Sequence, residues 1–281
     1  MTLGKLYIKR FEIKLHRKRG KEMYPILFTI GGLEFHVWGM LVAVGVLAGL
    51  WLSSRLVQGS EITAEILQEY VLYGVLVGFL GARVWEVAFS WGDYRANPIQ
   101  AILFWQGGLS IQGAVIANVL LAWWYFRRKK LSFYRFADFA APGLMLGQAI
   151  GRIGCFFNGD AYGKPTEAWY GVVYQPGTPA FNAWGSTPLI PAELMEAGLD
   201  LAILAVLLRL LGKKQFDGQV ILAYFVLYSV GRFGLEFLRT DSLMIGGLKA
   251  AQLTALITIT IAAGLWFWQI CRTRGKYKKG V

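Results

Sequence analysis

Charge is scarce in this sequence. Asp, Glu, Lys and Arg make up 16% of the 281 residues and the apolar set makes up 56%, whereas a soluble domain carries about 25% charged and roughly 45–50% apolar residues. This composition argues against a water-soluble globule. Cysteine is scarce as well, because Cys155 and Cys271 are too few and too distant in sequence for a disulfide framework or a metal site. No ligand spacing in the chain indicates a metal or an organic cofactor.

Glycine, aromatic residues and positive charge are abundant instead. The 34 glycines and the aromatic fraction of 15% suit membrane-spanning helices with close backbone contacts and with Trp and Tyr at the interfaces. The net charge of +12 could by itself indicate a nucleic-acid partner. Most of the basic residues, however, lie in short runs between apolar stretches, as in the cytoplasmic loops of membrane proteins. We therefore expect membrane lipids, and no nucleic acid, as partners.

Seven stretches are predicted to span a membrane, since a span needs about 20 mostly apolar residues: 37–54, 70–90, 99–126, 136–153, 192–211, 220–238 and 250–271. The Lys and Arg residues of the loops fall mainly on the side of the C-terminal tail. This bias predicts a cytoplasmic C-terminus and places the start of the first span and the long loop 152–190 outside. We expect a single transmembrane domain over residues 23–281.

The first 22 residues contradict this orientation, because they form a basic N-terminal extension that should stay inside. They are not a secretory signal, since no small-residue cleavage site follows the first apolar stretch. One hypothesis is that translation starts at Met23 and that residues 1–22 are not translated; a translated extension is the open alternative.

The predicted span 220–238 carries charges that a membrane helix normally excludes. Tyr228, Arg232, Glu236 and Arg239 follow at i, i+4, i+8 and i+11, which predicts that they share one helical face. An Arg at the centre of a span costs about 2.5–3.5 kcal/mol, so these residues need a partner or a function. Two arginines to one glutamate leave a positive charge unpaired, and a guanidinium can bind phosphate with two hydrogen bonds. A structural Arg–Glu ladder between helices is the alternative.

The segment GRIGCFFNGDAYGKPT, residues 151–166, follows the end of another predicted span. Arg152 is the charged residue at that end, and Cys155, one turn later, is interpreted as a small packing residue. A tight loop at the outer edge of the membrane is then predicted from the small and polar residues Asn158, Gly159, Asp160, Tyr162 and Gly163.

The segment WQGGLSIQG, residues 105–113, breaks an apolar stretch with glycine. Irregular backbone at membrane depth is tolerated where it lines a cavity or is buried in protein. Gln106, Ser110 and Gln112 would then supply donors and acceptors to a cavity. A glycine packing seam between helices is the alternative.

Carboxylates cluster in PAELMEAGLD, residues 191–200. Glu193 is expected to complement the dipole of a helix that starts at this point, while Glu196 and Asp200 are deeper and are candidates for pairing with an arginine. His36 begins the first span, where an interfacial role and a catalytic role are both open.

Five motifs together resemble those of one bacterial family: HVWGM, GGLSIQG, GRIGCFFNGDAYGKP, PAELMEA and YSVGRFGLEFLRTD. From about Met23 to the C-terminus, the chain is similar to the phosphatidylglycerol–prolipoprotein diacylglyceryl transferases. The resemblance implies an all-α integral membrane protein of the bacterial inner (plasma) membrane, with seven transmembrane helices and a small extracytoplasmic cap. It implies transfer of the diacylglyceryl group from phosphatidylglycerol to the lipobox cysteine thiol of a prolipoprotein signal peptide. A thioether forms and glycerol phosphate is released.

The resemblance also implies roles for individual residues. Arg152 and Arg232 match the two arginines that hold the lipid phosphate, and Gln112 stands where many relatives have a histidine that has been considered as the base. The other candidates for catalysis or substrate binding are Tyr228, Glu236, Asp160, Arg239, Asn158, Gly163, Glu196 and His36. The chain also departs from the family pattern at Cys155, which stands for Asn, Asp160, which stands for Glu, and Met195, which stands for Tyr.

The implied reaction needs a proton acceptor, because the substrate thiol has a pKa of about 8.5. The neutral amide of Gln112 cannot accept that proton. Asp160 ranks first, since it lies in the outer loop near Arg152, and Glu236 ranks second, since an adjacent arginine makes a carboxylate a poor base. The departing phosphate is the third candidate. The rival function is a transporter of an anionic solute that uses the same arginines, although the internal repeats common in transporters are not evident here.

Overall fold

The computed structural model describes residues 13–15, 26–30, 33–95, 97–103, 108–240, 244–245 and 247–277. The chain divides into two compact units, each described by itself. Unit 1 comprises Met1–Gly49, Leu144–Lys213 and Leu222–Val281, and unit 2 comprises Leu50–Gly143 and Lys214–Ile221. Apart from residues 13–15, the predicted extension 1–22 lies outside the described residues, as do Met23 and Gln106.

Helices dominate the described residues. The α-helices are α1 (Val37–Leu56), α2 (Ala64–Phe89), α3 (Trp91–Tyr94), α4 (Ile111–Arg128), α5 (Phe133–Asn158), α6 (Pro179–Trp184), α7 (Ala192–Leu211), α8 (Gln219–Leu235) and α9 (Ala250–Tyr277). Short 3₁₀ turns cover Pro98–Ala101 and Glu236–Leu238. The strands are β1 (Ile13–Leu15), β2 (Ile26–Ile30), β3 (Leu33–His36), β4 (Met244–Ile245) and β5 (Leu248–Lys249). Strands β1, β2 and β3 pair antiparallel in that order, and β4 pairs antiparallel with β5.

Each of the seven predicted spans overlaps a long helix, namely α1, α2, α4, α5, α7, α8 or α9. Within the described part of the chain, four helical stretches are long and apolar enough to cross a membrane: Val37–Leu56, Ala64–Phe89, Gln219–Leu238 and Ala250–Cys271. The prediction of a helical protein with membrane-spanning segments is confirmed at this coarser level. The short strands are an addition that the sequence patterns did not predict.

The prediction of one helix over 99–126 is wrong in its first part. Helix α4 begins only at Ile111, with Ser110 as its N-cap, and the preceding Pro98–Ala101 segment forms a separate 3₁₀ turn. Gly108 between them has φ +73°, a left-handed conformation that a continuous α-helix excludes and that glycine adopts at little cost. Apolar composition alone therefore overestimated the length of this helix.

Close packing of α2 against α4 in unit 2 depends on small residues. Gly74, Gly78 and Gly81 of α2 face α4, and a Cβ atom on Gly81 would collide with Ala117 and with the carbonyl of Gly113. Tyr70 also donates a hydrogen bond to the carbonyl of Asn118, at 3.2 Å. Small residues allow two helix backbones to approach closely within a membrane. The close helix contact that the glycine content predicted therefore occurs between α2 and α4.

Replacing Gly113 with alanine is expected to destabilise unit 2. The new Cβ would meet the carbonyl of Gly81 and the Cβ of Trp85, so the two helices must separate, at a cost of about 1–3 kcal/mol. Thermal unfolding of the purified protein in detergent measures the effect. Gly264→Ala in α9 is the matched control, because a Cβ there meets no atom within 4 Å. Equal unfolding temperatures for the two variants would contradict the packing.

A buried carboxylate in α5 holds the start of α8. Asp138 is fully buried and accepts hydrogen bonds from the backbone N–H groups of Gly218, Val220 and Ile221, at 2.8, 2.9 and 3.1 Å. Its charge is balanced by Lys214, whose Nζ lies 2.9 Å from Oδ2. An anionic group at a helix N-terminus satisfies backbone donors that otherwise lack partners. Asp138 therefore has a structural explanation.

The frame of unit 1 brings α1 and α5 together and adds a small cap. The two helices meet at Gly45 and Gly147, where a Cβ on either glycine would lie 2.8–3.0 Å from the carbonyl oxygen of the other. The loop 159–190 packs on its own apolar cluster, which consists of Tyr174, Ala180 and Leu189 with Phe156 and Tyr162 against it. This cap follows directly on the C-terminal end of α5, where Arg152 lies.

Candidate active site

Two arginines from different helices of unit 1 bind the same carboxylate. Arg152 of α5 places Nη2 2.8 Å from Oε1 of Glu196, and Arg232 of α8 places Nη1 3.2 Å from Oε2. Glu196 lies one turn into α7, where the sequence predicted a partner for an arginine. Both arginines predicted from separate motifs are therefore close to each other, and one carboxylate fixes their spacing.

Two more side chains of the α8 segment complete this group. Tyr228 donates a hydrogen bond to Oε1 of Glu196 at 3.1 Å and accepts one from Nη2 of Arg152 at 3.4 Å. Arg232 also places Nη2 2.8 Å from Oε2 of Glu236. We call the five residues Arg152, Glu196, Tyr228, Arg232 and Glu236 the arginine cluster.

The sequence predicted one unpaired positive charge on a face of α8, and this prediction is wrong: the arginine cluster has no such excess. The prediction counted Arg232 and Arg239 against Glu236. In the structure the α-helix ends at Leu235 and a 3₁₀ turn covers Glu236–Leu238, so Arg239 follows in extended conformation, with φ −88° and ψ 149°. Arg239 therefore leaves the shared helical face, and Glu196 joins from α7. Two arginines and two glutamates balance formally, so the charges of the arginine cluster form the Arg–Glu ladder between helices that was the alternative.

The acidic side chains of the arginine cluster are more deeply buried than the basic ones. The carboxylate side chains are nearly inaccessible, 2% exposed for Glu196 and 1% for Glu236, whereas those of Arg152 and Arg232 are 21% and 17% exposed. Among the described residues, no group accepts a hydrogen bond from the Nε of either arginine. Since a guanidinium has five N–H donors, Arg152 and Arg232 keep donors that their contacts with the glutamates do not use.

The turn after α5 contains three of the predicted site residues. Asn158 donates a hydrogen bond from Nδ2 to Oδ2 of Asp160 at 2.8 Å, and Oδ1 of Asp160 is buried without a hydrogen-bond partner in the described part of the chain. Gly159 has φ +67°, as the predicted tight turn requires. Gly163 is needed for a different reason, because a Cβ there would lie 2.7 Å from the carbonyl oxygen of Ile190.

Arg239 and this turn are joined through the backbone. Gly163 and Arg239 form an antiparallel bridge, and the N–H of Lys164 donates to the carbonyl of Leu238 at 2.8 Å. These backbone contacts hold the end of the α8 segment next to the turn that carries Asp160.

Lys249 of β5 was missed by the sequence analysis, which counted it only as a loop charge. Its Nζ donates to the carbonyls of Glu236 and Arg239, at 2.5 and 2.6 Å. A cation at the C-terminal end of a helix satisfies carbonyls that have no partner in the helix. The local sequence carries no signal for this contact, because it depends on the fold of the β4–β5 hairpin.

The remaining carboxylates of α7 differ from one another. Glu193 is fully buried and accepts a hydrogen bond from the hydroxyl of Tyr174 at 2.8 Å, so it holds the cap as well as complementing the helix dipole. Burial and the Glu193 carboxylate raise the pKa of Tyr174. Asp200 is fully buried, and neither of its carboxylate oxygens has a hydrogen-bond partner among the described residues. Of the two predicted arginine partners, the structure pairs Glu196 and not Asp200.

His36 and Gln112 belong neither to the arginine cluster nor to the turn after α5. His36 is the last residue of β3, pairs in register with Ile26 and has an exposed side chain. Gln112 belongs to unit 2, in the first turn of α4, where its Oε1 accepts a hydrogen bond from Ser110 at 2.6 Å.

Comparison with known proteins places this geometry in a family. A family profile described as prolipoprotein diacylglyceryl transferase matches residues 25–268. Proteins named phosphatidylglycerol–prolipoprotein diacylglyceryl transferase are similar over nearly their whole length. The one from Trichormus variabilis is 35% identical over 89% of this chain and 91% of its own. Those from Gloeobacter violaceus and Clostridium kluyveri are each 37% identical, over 86% and 90% of this chain and 92% and 99% of their own. Because the profile covers most of the chain and these relatives are 35–37% identical over nearly their whole length, the chain belongs to the prolipoprotein diacylglyceryl transferase family.

Proposed function

We propose that this protein transfers the diacylglyceryl group of phosphatidylglycerol to the lipobox cysteine of a prolipoprotein. The observation that carries the proposal is the shared carboxylate: Glu196 holds Arg152 and Arg232 side by side, and both arginine side chains are partly exposed while Glu196 is buried. A pair of guanidinium groups suits a phosphodiester, which each can bind with two parallel hydrogen bonds. The names of the relatives support this function and give no support to the anion transporter considered above.

The proposed setting is the bacterial inner membrane, with seven transmembrane helices, the N-terminus outside and the C-terminus in the cytoplasm. Four described helical stretches are long and apolar enough to span, and α4, α5 and α7 have 18, 26 and 20 residues, which suits three further spans. The cap formed by 159–190 then lies on the outer side, where a secreted precursor presents its signal peptide.

In the proposed reaction, the thiolate of the lipobox cysteine attacks the glycerol carbon that bears the phosphate ester. A carbon–sulfur bond forms, the carbon–oxygen bond breaks, and the electron pair leaves with the phosphate of glycerol phosphate. The charge on the phosphate rises from one to two, so hydrogen bonds from Arg152 and Arg232 strengthen as the reaction proceeds. Donors that bind more tightly in the transition state accelerate the chemical step. Arg239, Asn158, Gly163 and His36 are proposed to contact or shape the substrate site.

Asp160 is the proposed acceptor of the thiol proton. Glu236 is engaged by Arg232 at 2.8 Å, and an ion-paired carboxylate is a poor proton acceptor. Asp160 has Oδ2 held by Asn158 and forms no ion pair among the described residues, in contrast to Glu236. Gln112 carries a neutral amide and cannot accept the proton. Tyr228 positions Arg152 and Glu196 through its hydroxyl.

Asp160→Asn is expected to lower kcat about a hundredfold and to leave the apparent affinity for phosphatidylglycerol little changed, since the amide keeps the shape but accepts no proton. The rate of label transfer over a range of phosphatidylglycerol concentrations measures both quantities. Asp93→Asn on the exposed surface of α3 is the matched control. An undiminished kcat in Asp160→Asn would remove this residue as the base.

The proposed function is tested with the purified protein, phosphatidylglycerol labelled in the glyceryl carbons of its diacylglyceryl group, and a peptide that carries a lipobox cysteine. Label should appear on the peptide in a bond that resists hydrolysis of esters, together with an equal amount of glycerol phosphate. A peptide in which serine replaces the lipobox cysteine is the control. Label that stays in the lipid, under conditions where a relative transfers it, would overturn the proposal.

A further inference from the structure

An open groove in unit 2 lies where α2 begins and α4 ends. Its volume is about 520 Å³, and its walls include Tyr73 and Val77 of α2 and Leu121, Trp124, Arg128 and Lys129 of α4. We call it the α2–α4 groove. None of its lining residues belongs to unit 1, which holds the arginine cluster.

The α2–α4 groove is polar at one end and apolar at the other. Arg128 and Lys129 are at the terminus of α4, whereas Val77 and Leu121 are deeper along the two helices. From Glu69, at the polar end, to Val77 the rise along α2 is about 12 Å. A charged mouth that continues into an apolar trough of this length matches a lipid headgroup followed by the upper part of an acyl chain.

The charge at the mouth of the groove is positive. Glu69 is held by Lys129, with 2.9 Å between Nζ and Oε2, and by the hydroxyl of Tyr125 at 2.7 Å. Arg128 lies over the ring of Trp124, with Cζ 5.4 Å from the ring centroid, and forms no ion pair among the described residues. The run Arg127–Lys130 therefore leaves an excess of cations here, which is complementary to a phosphate.

Neighbouring side chains indicate that this mouth lies at a membrane surface. Two further Trp–Arg stacks occur in unit 2, with the guanidinium of Arg55 5.9 Å from the ring of Trp51 and that of Arg127 5.3 Å from Trp123. Trp and Arg concentrate at the boundary between hydrocarbon and water. Below that level α2 exposes large apolar side chains, including Leu72 at 63%. In a membrane protein such a surface is covered by lipid.

We propose that the α2–α4 groove binds one anionic glycerophospholipid molecule as a structural lipid, separate from the lipid that serves as substrate. Its phosphate contacts Arg128 and Lys129, the rings of Tyr73 and Trp124 flank the glycerol region, and one acyl chain lies along Val77 and Leu121. The bound lipid joins the start of α2 to the end of α4 and thereby stabilises this helix pair.

The test compares the full-length protein with two double variants in a neutral detergent. Arg128→Gln/Lys129→Gln removes the two cations that line the groove, and Arg127→Gln/Lys130→Gln removes two cations of the same run that do not line it. Native mass spectrometry counts lipid molecules that stay bound, and the unfolding temperature is titrated with phosphatidylglycerol and, separately, with phosphatidylcholine of the same acyl chains.

We expect the wild type and the Arg127→Gln/Lys130→Gln control to retain one more phosphatidylglycerol molecule than the groove variant. The affinity of that molecule should fall about thirtyfold in the groove variant, since each cation near a lipid surface contributes on the order of 1 kcal/mol. Transfer activity at saturating phosphatidylglycerol should be unchanged. Arg128→Gln alone, which disturbs no ion pair, gives a smaller loss in the same direction if the double variant unfolds.

Three outcomes would overturn the proposal. An equal loss of lipid in both double variants would mean that only the general charge of the run attracts lipid. Phosphatidylcholine bound as tightly as phosphatidylglycerol would remove the role of the cations. A dimer of the chain whose dissociation exposes the groove would show that a second copy, and not a lipid, occupies it.

Discussion

Arg232→Lys lowers the rate of diacylglyceryl transfer at least about a hundredfold. Arg232 uses Nη1 for Glu196 and Nη2 for Glu236, at 3.2 and 2.8 Å. A lysine keeps the positive charge but ends in a single ammonium group, which cannot reach both carboxylates and still present a planar pair of donors to a phosphate. Loss of one such donor to the developing charge costs about 10²–10³ in rate.

The measurement is label transfer from phosphatidylglycerol to a lipobox peptide, with the protein amount normalised by its folded fraction. Arg209→Lys near the end of α7 is the matched control, because Arg209 is exposed. Arg152→Lys is expected to behave like Arg232→Lys, since its Nη2 serves both Glu196 and Tyr228. Transfer that survives at the wild-type rate in both variants would be incompatible with phosphate binding by the two guanidiniums.

Glu196→Gln is expected to lower the free energy of unfolding by about 3–5 kcal/mol. The substitution keeps the shape of the side chain but removes the charge that lies between Arg152 and Arg232, at a position only 2% exposed. Breaking a buried ion pair from one side leaves the partner charge uncompensated, which costs more than the pair itself contributes. Denaturant-induced unfolding in detergent, followed by far-ultraviolet circular dichroism, measures the loss.

Glu167→Gln in the cap loop is the matched control for Glu196→Gln, because Glu167 is exposed. The double variant Glu196→Gln/Arg152→Gln separates charge from shape. Removing one arginine restores part of the charge balance, so the double variant should be more stable than the sum of the two single changes predicts. Strict additivity would show that Glu196 and Arg152 are not coupled.

The sequence was sufficient for helices with clear boundaries. The bounds predicted for 192–211 coincide with those of helix α7, which begins after Pro191 and ends before Gly212. The sequence was insufficient where apolar residues continue through irregular backbone. The 3₁₀ turn ends at Ala101 and α4 begins only at Ile111, with Gly108 between them in a left-handed conformation.

Part of the candidate site could be predicted, because a charged residue within an apolar span is costly to bury and so indicates a partner or a function. Arg152 and Arg232 were identified from the cost of burying them and from the family motifs, and Glu196 was one of two candidate partners. The predicted position of Arg239 on the helical face was wrong, because the prediction continued the α-helical period through residues Glu236–Leu238, which form a 3₁₀ turn. Lys249 was missed because its contacts are with carbonyls, which have no sequence signal.

The double attachment of Glu196 has a mechanical consequence. One carboxylate on α7 is tied to α5 through Arg152 and to α8 through Arg232, so a displacement of α7 would move both guanidinium groups together. The spacing of the two groups therefore depends on the position of a single side chain.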